Sequence, residues 1–205
     1  MNARTAFRRK RMKGFSLVEL LVVLLIMVAT TTLTMTGMGR LVRASQLGMA
    51  GGTVMDQFNL ARQHALASNR MVEVRIYTDG SAVGGAPCGI QIFSVSNQGS
   101  SEVFEALAPP RRLPKHVAIV DDTAVSTLMG VLSSQPVTPT PGMPYNEYYS
   151  FRFLPNGSTS LDDAQPYWFV TLAESGRSDG DNGTPSNFVA AQINVRTGQT
   201  RLWRP

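Results

Sequence analysis

The sequence holds one cysteine, Cys88, and two histidines, His64 and His116, in 205 residues. A lone thiol excludes an internal disulfide and a cysteine-cluster metal site, and two histidines exclude a His-rich metal centre. Charge is scarce as well. Asp, Glu, Lys and Arg make up 16% of the chain against 43% hydrophobic residues, the reverse of the balance that keeps a chain disordered, so a packed core is within reach. Acid is missing altogether from the first fourteen residues, which carry Arg4, Arg8, Arg9, Lys10, Arg11 and Lys13. Removing those six from the 19 basic residues leaves 13 against 14 acidic ones. The high pI therefore belongs to the N-terminal tail and does not argue for nucleic-acid binding. Catalytic signatures are absent too: there is no Walker loop, no Gly-x-Ser-x-Gly elbow and no His-Glu-x-x-His.

What is present starts after Gly14. Phe15 to Leu33 is an apolar run with a single charge, Glu19. About 20 helical residues at ~1.5 Å each cross the ~30 Å hydrocarbon core of a bilayer. The basic flank would stay cytoplasmic and the bulk of the chain would lie on the other side. A secretory signal would need a small-x-small cleavage site, and Val28-Ala29-Thr30 offers only a weak one. A plain signal anchor fits the hydropathy. Neither accounts for Glu19, since a charge at the bilayer centre costs about 2.5–3.5 kcal/mol on insertion scales. Cleavage between Gly14 and Phe15 does. It would leave an α-amino group on Phe15, and positions i and i+4 share a helix face. Glu19 could then pair with that amine or with the amine of a neighbouring subunit, offsetting the desolvation of both charges.

The stretch Lys13-Gly14-Phe15-Ser16-Leu17-Val18-Glu19-Leu20 resembles the class III signal of type IV pilins and type II secretion pseudopilins. The resemblance implies a prepilin peptidase that cuts after Gly14 and N-methylates Phe15, with Glu19 as the assembly residue. It also implies partners: other pilin-like subunits, the peptidase and an inner-membrane assembly platform. The expected location is the bacterial inner membrane, crossed once, with a periplasmic C-terminal domain that later joins a periplasmic or extracellular filament. Such a chain is a substrate of an enzyme, not an enzyme, and needs no cofactor. The expected filament is a type II secretion pseudopilus or a type IV pilus. The alternative is a minor type IV pilin that binds DNA or another ligand in uptake or adhesion.

Past Leu33 the pattern turns amphipathic. Leu41, Leu47, Val54, Phe58, Ala61, Ala65 and Leu66 recur near helical spacing, with Arg40, Arg43, Gln46, Asp56, Gln57, Arg62 and Gln63 between them, which predicts one helix over 15–68 with an apolar stripe for core packing. Thr30-Thr31-Thr32 and the glycines at 37, 39, 48, 51 and 52 weaken it. The Gly37–Gly39 stretch is expected to unwind when subunits pack, and the Gly48/Gly52 spacing to allow close helix–domain packing. From Met71 the period becomes two: Val72, Val74 and Ile76 alternate with Glu73, Arg75 and Tyr77 as a half-buried strand. Further strands are expected at Gly89–Ser96, Glu102–Leu107, Val117–Val120, Tyr149–Leu154, Tyr167–Leu172, Phe188–Val195 and Gln199–Trp203. Asn156-Gly157 and Thr197-Gly198 mark turns, and the proline-rich Ser133–Pro144 reads as an exposed loop. The expected fold class is α+β, a long helix packed on antiparallel sheet. It is organised as a leader (1–14), a helix (15–68, membrane part 15–33) and a β-rich domain (69–205).

Three later stretches resemble the GspH/FimT group of minor pseudopilins and minor pilins. They are Asn59–Arg70 with Val72-Glu73-Val74, the turn Phe151–Ser158, and the closing hairpin Ile193–Arg201. With Asn187-Phe188-Val189 and Arg204-Pro205, the chain also resembles a pilin-like cassette family found in Verrucomicrobia, which brings no established function. Residues 79–145 carry no resemblance.

Candidate chemistry is thin. His64 lies on the amphipathic helix and reads as a surface or packing residue. Cys88 has no evident base nearby and reads as an incidental thiol. The adjacent pairs Asp121-Asp122 and Asp162-Asp163 point to opposite sides of an extended chain and read as turn residues. In Ser178–Gly183, Asp179, Asp181 and Asn182 could supply oxygens to calcium. Major pseudopilins carry a calcium loop near this part of the chain, but the segment lacks the further Glu of an EF-hand, and an ordinary polar turn is the other reading. Arg196, Arg201, Trp203 and Arg204 gather at the C-terminus, where cations and a stacking ring could meet nucleic acid. The Gly-Arg-x-Arg motif with which some FimT-like pilins bind DNA is incomplete here, because Gly198-Gln199-Thr200-Arg201 lacks its first arginine. A solvated hairpin edge is the default for these residues.

Overall fold

The architecture comes from a computed structural model that describes residues 15–79, 87–120, 122–137, 145–175, 185 and 187–204; the side chains of 33–38, 40, 78, 79, 87 and 88 lie outside that description. The chain divides into two compact units, Met1–Val42 and Arg43–Pro205. The division falls inside the long helix α1, Leu17–Ser68, not at its C-terminal end where the composition changes.

In the first unit the three consecutive threonines do not break the helix. The hydroxyls of Thr30, Thr31 and Thr32 each bond back to carbonyls three and four residues earlier, at 2.7–3.2 Å, which satisfies them without competing for the helix's own N–H groups. The Gly37–Gly39 stretch is helical in this single chain.

In the second unit the helix ends where Asn69 takes a left-handed φ of 51°, a C-terminal stop that asparagine tolerates. Eleven shorter elements follow: β1 (Val72–Asp79), β2 (Pro87–Gln98), β3 (Ser101–Ala106), β4 (Arg111–Arg112), β5 (Val117–Ile119), α2 (Thr127–Val131), β6 (Ser134–Pro136), β7 (Tyr145–Phe153), β8 (Tyr167–Glu174), β9 (Phe188–Asn194) and β10 (Thr200–Trp203). They form two antiparallel sheets. One runs β3-β2-β1-β7-β6 with β4 on β2, and the other runs β10-β9-β8-β5. The fold is α+β as expected, with two sheets rather than one.

A single core joins them. Leu47, Ala50, Val54, Phe58, Ala61 and Ala65 of α1 pack with Val72, Val74 and Ile76 of β1 and with Val170, Leu172, Val189 and Ile193 of the second sheet. The Phe58 and Phe151 rings meet edge to face at 5.4 Å. The close helix approach lies at Gly51 rather than at Gly52. A Cβ on Gly51 would come within 2.6 Å of Val189, while one on Gly52 would meet nothing within 4 Å.

Three local expectations change. The loop expected over Ser133–Pro144 contains a short edge strand, since β6 pairs with β7; Pro136 is tolerated there because it ends an edge, and 138–144 lie outside the described residues. Strand β4 and helix α2 were not anticipated, being too short to show a period. Strand β1 is not half-buried. Glu73 and Tyr77, on its outer side, are 3% and 2% exposed, because β1 lies between β2 and β7 and its outer side chains are roofed by charged and aromatic neighbours.

Candidate functional site: the N-terminal segment and the outer faces of the sheets

At the N-terminus the apolar side chains have no cover. Phe15 is 76% exposed, Leu17 81%, Leu24 58% and Val28 56%. A helix that is apolar all round belongs inside a membrane or among other helices. The first backbone bond of the segment runs from Leu20 N–H to Ser16 O at 3.2 Å, and Glu19 sits in the first turn, where a carboxylate meets the positive end of the helix dipole. Phe15 and Glu19 stand four residues apart at this end. Among the described residues Glu19 has no ion-pair partner. Gly14 lies outside the described residues. Among those residues no helix is long and apolar enough to cross a membrane; the described side chains of the run end at Thr32, whereas the sequence carries it to Leu33.

The outer face of the first sheet holds a charged cluster. Glu73 accepts from Arg75 Nε at 2.7 Å and from Arg152 Nε at 2.9 Å. Arg152 turns its other nitrogens on Glu102 in a two-pronged pair at 2.8 and 2.7 Å. That hydrogen bonding holds the Glu102 carboxyl below its ordinary value and Arg152 above its own, with Glu73 adding to the second effect. The Arg75 guanidinium lies 4.4–4.5 Å from the ring centres of Phe93, Phe104 and Tyr148, a cation–π arrangement that lets a charge sit at low exposure. Burial pushes the Tyr77 hydroxyl up, against the opposing charge of Arg75. Alternation in β1 places Glu73, Arg75 and Tyr77 on one face, which the sequence shows; Arg152, which pairs with Glu73, and Glu102, which pairs with Arg152, come from distant strands, which it does not.

The three stretches that resembled the GspH/FimT group meet at one place. Arg62 of α1 donates from Nε to Thr197 O at 2.8 Å. The Asn156-Gly157 turn lies against Arg62 and Leu66, and Gly198 abuts the Gly157 carbonyl. Asn156 Oδ1 accepts from Ser158 N–H and Oγ, and Thr159 N–H donates to Val195 O at 2.9 Å. These residues clasp the helix to both sheets, which is a structural role.

The C-terminal residues separate into two groups. Arg196 faces Asp163 at 3.9 Å on the open surface, and Arg204 donates to Ala44 O at 3.3 Å. Arg201 and Trp203 share the outer face of β10, where Trp203 Nε1 donates to Gln192 Oε1 at 2.8 Å. Their neighbours Thr200 and Leu202 turn inward, onto Asn59 and Gly51.

The remaining candidates serve structure. Asp122 and Asp162 each accept a backbone N–H two residues on, as turn residues do. The His64 and His116 carbonyls accept bonds from Ser68 and Ser175. Asp121, Asp179, Asp181, Asn182 and the Cys88 side chain lie outside the described residues. Among the described residues no group of three His, Cys, Asp or Glu could hold a metal.

Residues 9–35 match the family model of the prokaryotic N-terminal methylation motif. No curated protein matches the chain. Solved structures of two proteins are similar to 78% of it. One is the minor pseudopilin EpsH from the type 2 secretion system of Vibrio cholerae, 12% identical, 98% of that chain covered, TM-score 0.46. The other is the type IV minor pilin FimU of Pseudomonas aeruginosa, 12% identical, 89% of that chain covered, TM-score 0.42.

Proposed function

We propose that this chain is a minor pilin-like subunit of a type II secretion pseudopilus or type IV pilus, made as a precursor and cut between Gly14 and Phe15. The observation that carries the reading is the methylation motif over residues 9–35, set on a segment whose apolar side chains are exposed from Phe15 to Val28. The precursor is held in the inner membrane by the apolar run, with its basic leader on the cytoplasmic side and the sheet domain in the periplasm. A prepilin peptidase removes the leader and methylates Phe15. An assembly platform then moves the subunit from lipid into a helical stack of other subunits, which keeps the apolar run out of water at every stage. Glu19 finds its cation in the new amino group of Phe15, on its own chain or the next. That pairing sets axial register. The chain is worked on by an enzyme and performs no catalysis in this scheme.

The direct test is mass spectrometry of the mature N-terminus. A chain starting at methylated Phe15 is the expected result, and a chain still starting at Met1 overturns the reading. Replacing Glu19 by Gln removes the charge at nearly constant shape. It should abolish incorporation into fibres while leaving cleavage intact.

A further inference from the structure

Across β8, β9 and β10 the outer face carries a shallow cleft lined by Tyr167, Gln192, Asn194, Gln199 and Arg201. Strand register brings them together. Arg201 lies opposite Gln192, and Tyr167 opposite Asn194, while Asn194 N–H donates to Gln199 O at 2.9 Å. Both side-chain oxygens at the centre are already engaged. Gln192 Oε1 accepts from Trp203, and Asn194 Oδ1 accepts from the backbone N–H groups of Arg196 and Thr197 at 3.1 and 2.9 Å. With two bonds accepted, Asn194 Oδ1 is filled and that amide offers a ligand its N–H donors, while Gln192 offers its two N–H donors and one remaining lone pair. Among the described residues the Arg201 guanidinium makes no ion pair, and no carboxylate lines the cleft. The lining is therefore rich in donors and complementary to an anionic, planar acceptor, with Arg201 able to take a carboxylate in two-pronged fashion.

Two exposed rings flank this floor, Tyr167 at 42% and Trp203 at 54%. Flat apolar faces beside a hydrogen-bonding floor suit a pyranose, whose C–H face packs on a ring while its edge presents oxygens. We propose that this cleft binds a carboxylate-bearing sugar, a uronic acid unit of an acidic glycan. Nucleic acid fits less well. Its affinity is built from several neutralised phosphates, and among the described residues Arg201 is the only cation in the lining, Arg196 and Arg204 being turned to Asp163 and to the Ala44 carbonyl. The proposal stands on the cleft alone and holds whether or not the chain enters a filament.

The test is a titration of the full chain in detergent micelles, followed by tryptophan emission. Trp168 is only 5% exposed, so a change at the surface reports Trp203. The probes are an oligogalacturonate, a neutral glucose oligomer of equal length, and a single-stranded oligonucleotide. Saturable quenching by the oligogalacturonate is expected, with weaker binding of the neutral oligomer. Arg201→Gln should weaken the acidic probe by about tenfold or more, the loss of one charge-assisted pair, and should bring it level with the neutral oligomer. Arg201→Lys should recover part of the loss. An unchanged circular dichroism melt confirms that the variants fold. No saturable binding of the oligogalacturonate, equal binding of both sugars by the unaltered chain, or tighter binding of the oligonucleotide each overturns the proposal.

Discussion

Helix α1 carries two apolar surfaces with opposite fates. From Leu47 to Ala65 the stripe is fully buried, with Ala50, Phe58, Ala61 and Ala65 at 0% exposure, whereas from Phe15 to Val28 the large apolar side chains stand about half exposed or more. The sequence difference behind this is periodicity. The buried stripe alternates with polar residues at helical spacing and so defines one face, which a sheet can cover. The N-terminal run has no polar face, so no single sheet could cover it; it needs an apolar surrounding on all sides. One half of the helix is finished by its own chain and the other by its surroundings, and the comparison can be broken by mutation. Phe58→Ala should cost the domain about 3–5 kcal/mol, the usual penalty for emptying a buried aromatic site, as a shift in denaturant midpoint. Leu24→Ala should leave that midpoint unchanged within about 0.5 kcal/mol and act instead on membrane insertion and assembly. Equal losses from both would show that the two halves are not distinct.

Glycines sharpen the same contrast at smaller magnitude. Gly198 has a φ of +62°, and a Cβ there would run into the Gly157 carbonyl and approach Phe153 and Arg62. Gly198→Ala should destabilise the clasp by about 1–3 kcal/mol, the range for a strained backbone without a compensating contact. Gly39 lies in α1 with nothing within 4 Å of its would-be Cβ. Gly39→Ala should therefore raise helicity, by up to about 1 kcal/mol of helix stability, read by circular dichroism. It should also oppose unwinding of the Gly37–Gly39 stretch in a fibre.

These positions also show how far the sequence could be read. The proposed processing signal is local: Gly14, Phe15 and Glu19 lie within one short stretch, so order along the chain carries the whole pattern. The longer strands were legible because alternation is a property of each strand by itself. Their pairing was not, because Glu73 meets Arg152, and Arg152 meets Glu102, across tens of residues, and nothing in the order of residues marks those meetings. Strand β4 is two residues long and shows no period. The second sheet was hidden for a different reason: β5 is held to β8, and the remaining edge of β8 is closed by the hydroxyls of Ser126 and Thr127, which accept from Thr171 and Phe169 N–H at 3.3 and 3.0 Å. Side chains that stand in for a strand leave no strand-like pattern. The turns Asn156-Gly157 and Thr197-Gly198 were visible as turns, but their convergence on Arg62 was not.

The smallest effect separates the two regions by charge. In the sheet domain Glu73, Glu102, Asp163 and Glu174 each meet an arginine, whereas Glu19 has no ion-pair partner among the described residues. Glu102 is held below its ordinary 4.5 by hydrogen bonding to Arg152. A carboxyl whose folded value is depressed releases its proton more readily in the folded state, so the unfolded chain binds more protons in that window. Its contribution to stability is complete above about pH 4.5 and is lost as the pH falls through the folded value. The pair is solvent-facing and screened, so the effect is small and shrinks with salt. Melts of the unaltered chain and of Glu102→Gln should differ slightly at neutral pH and converge in acid, with the difference closing below about pH 4.5. A gap that persists at low pH would mean that Glu102 acts by packing against Arg152 rather than by its charge.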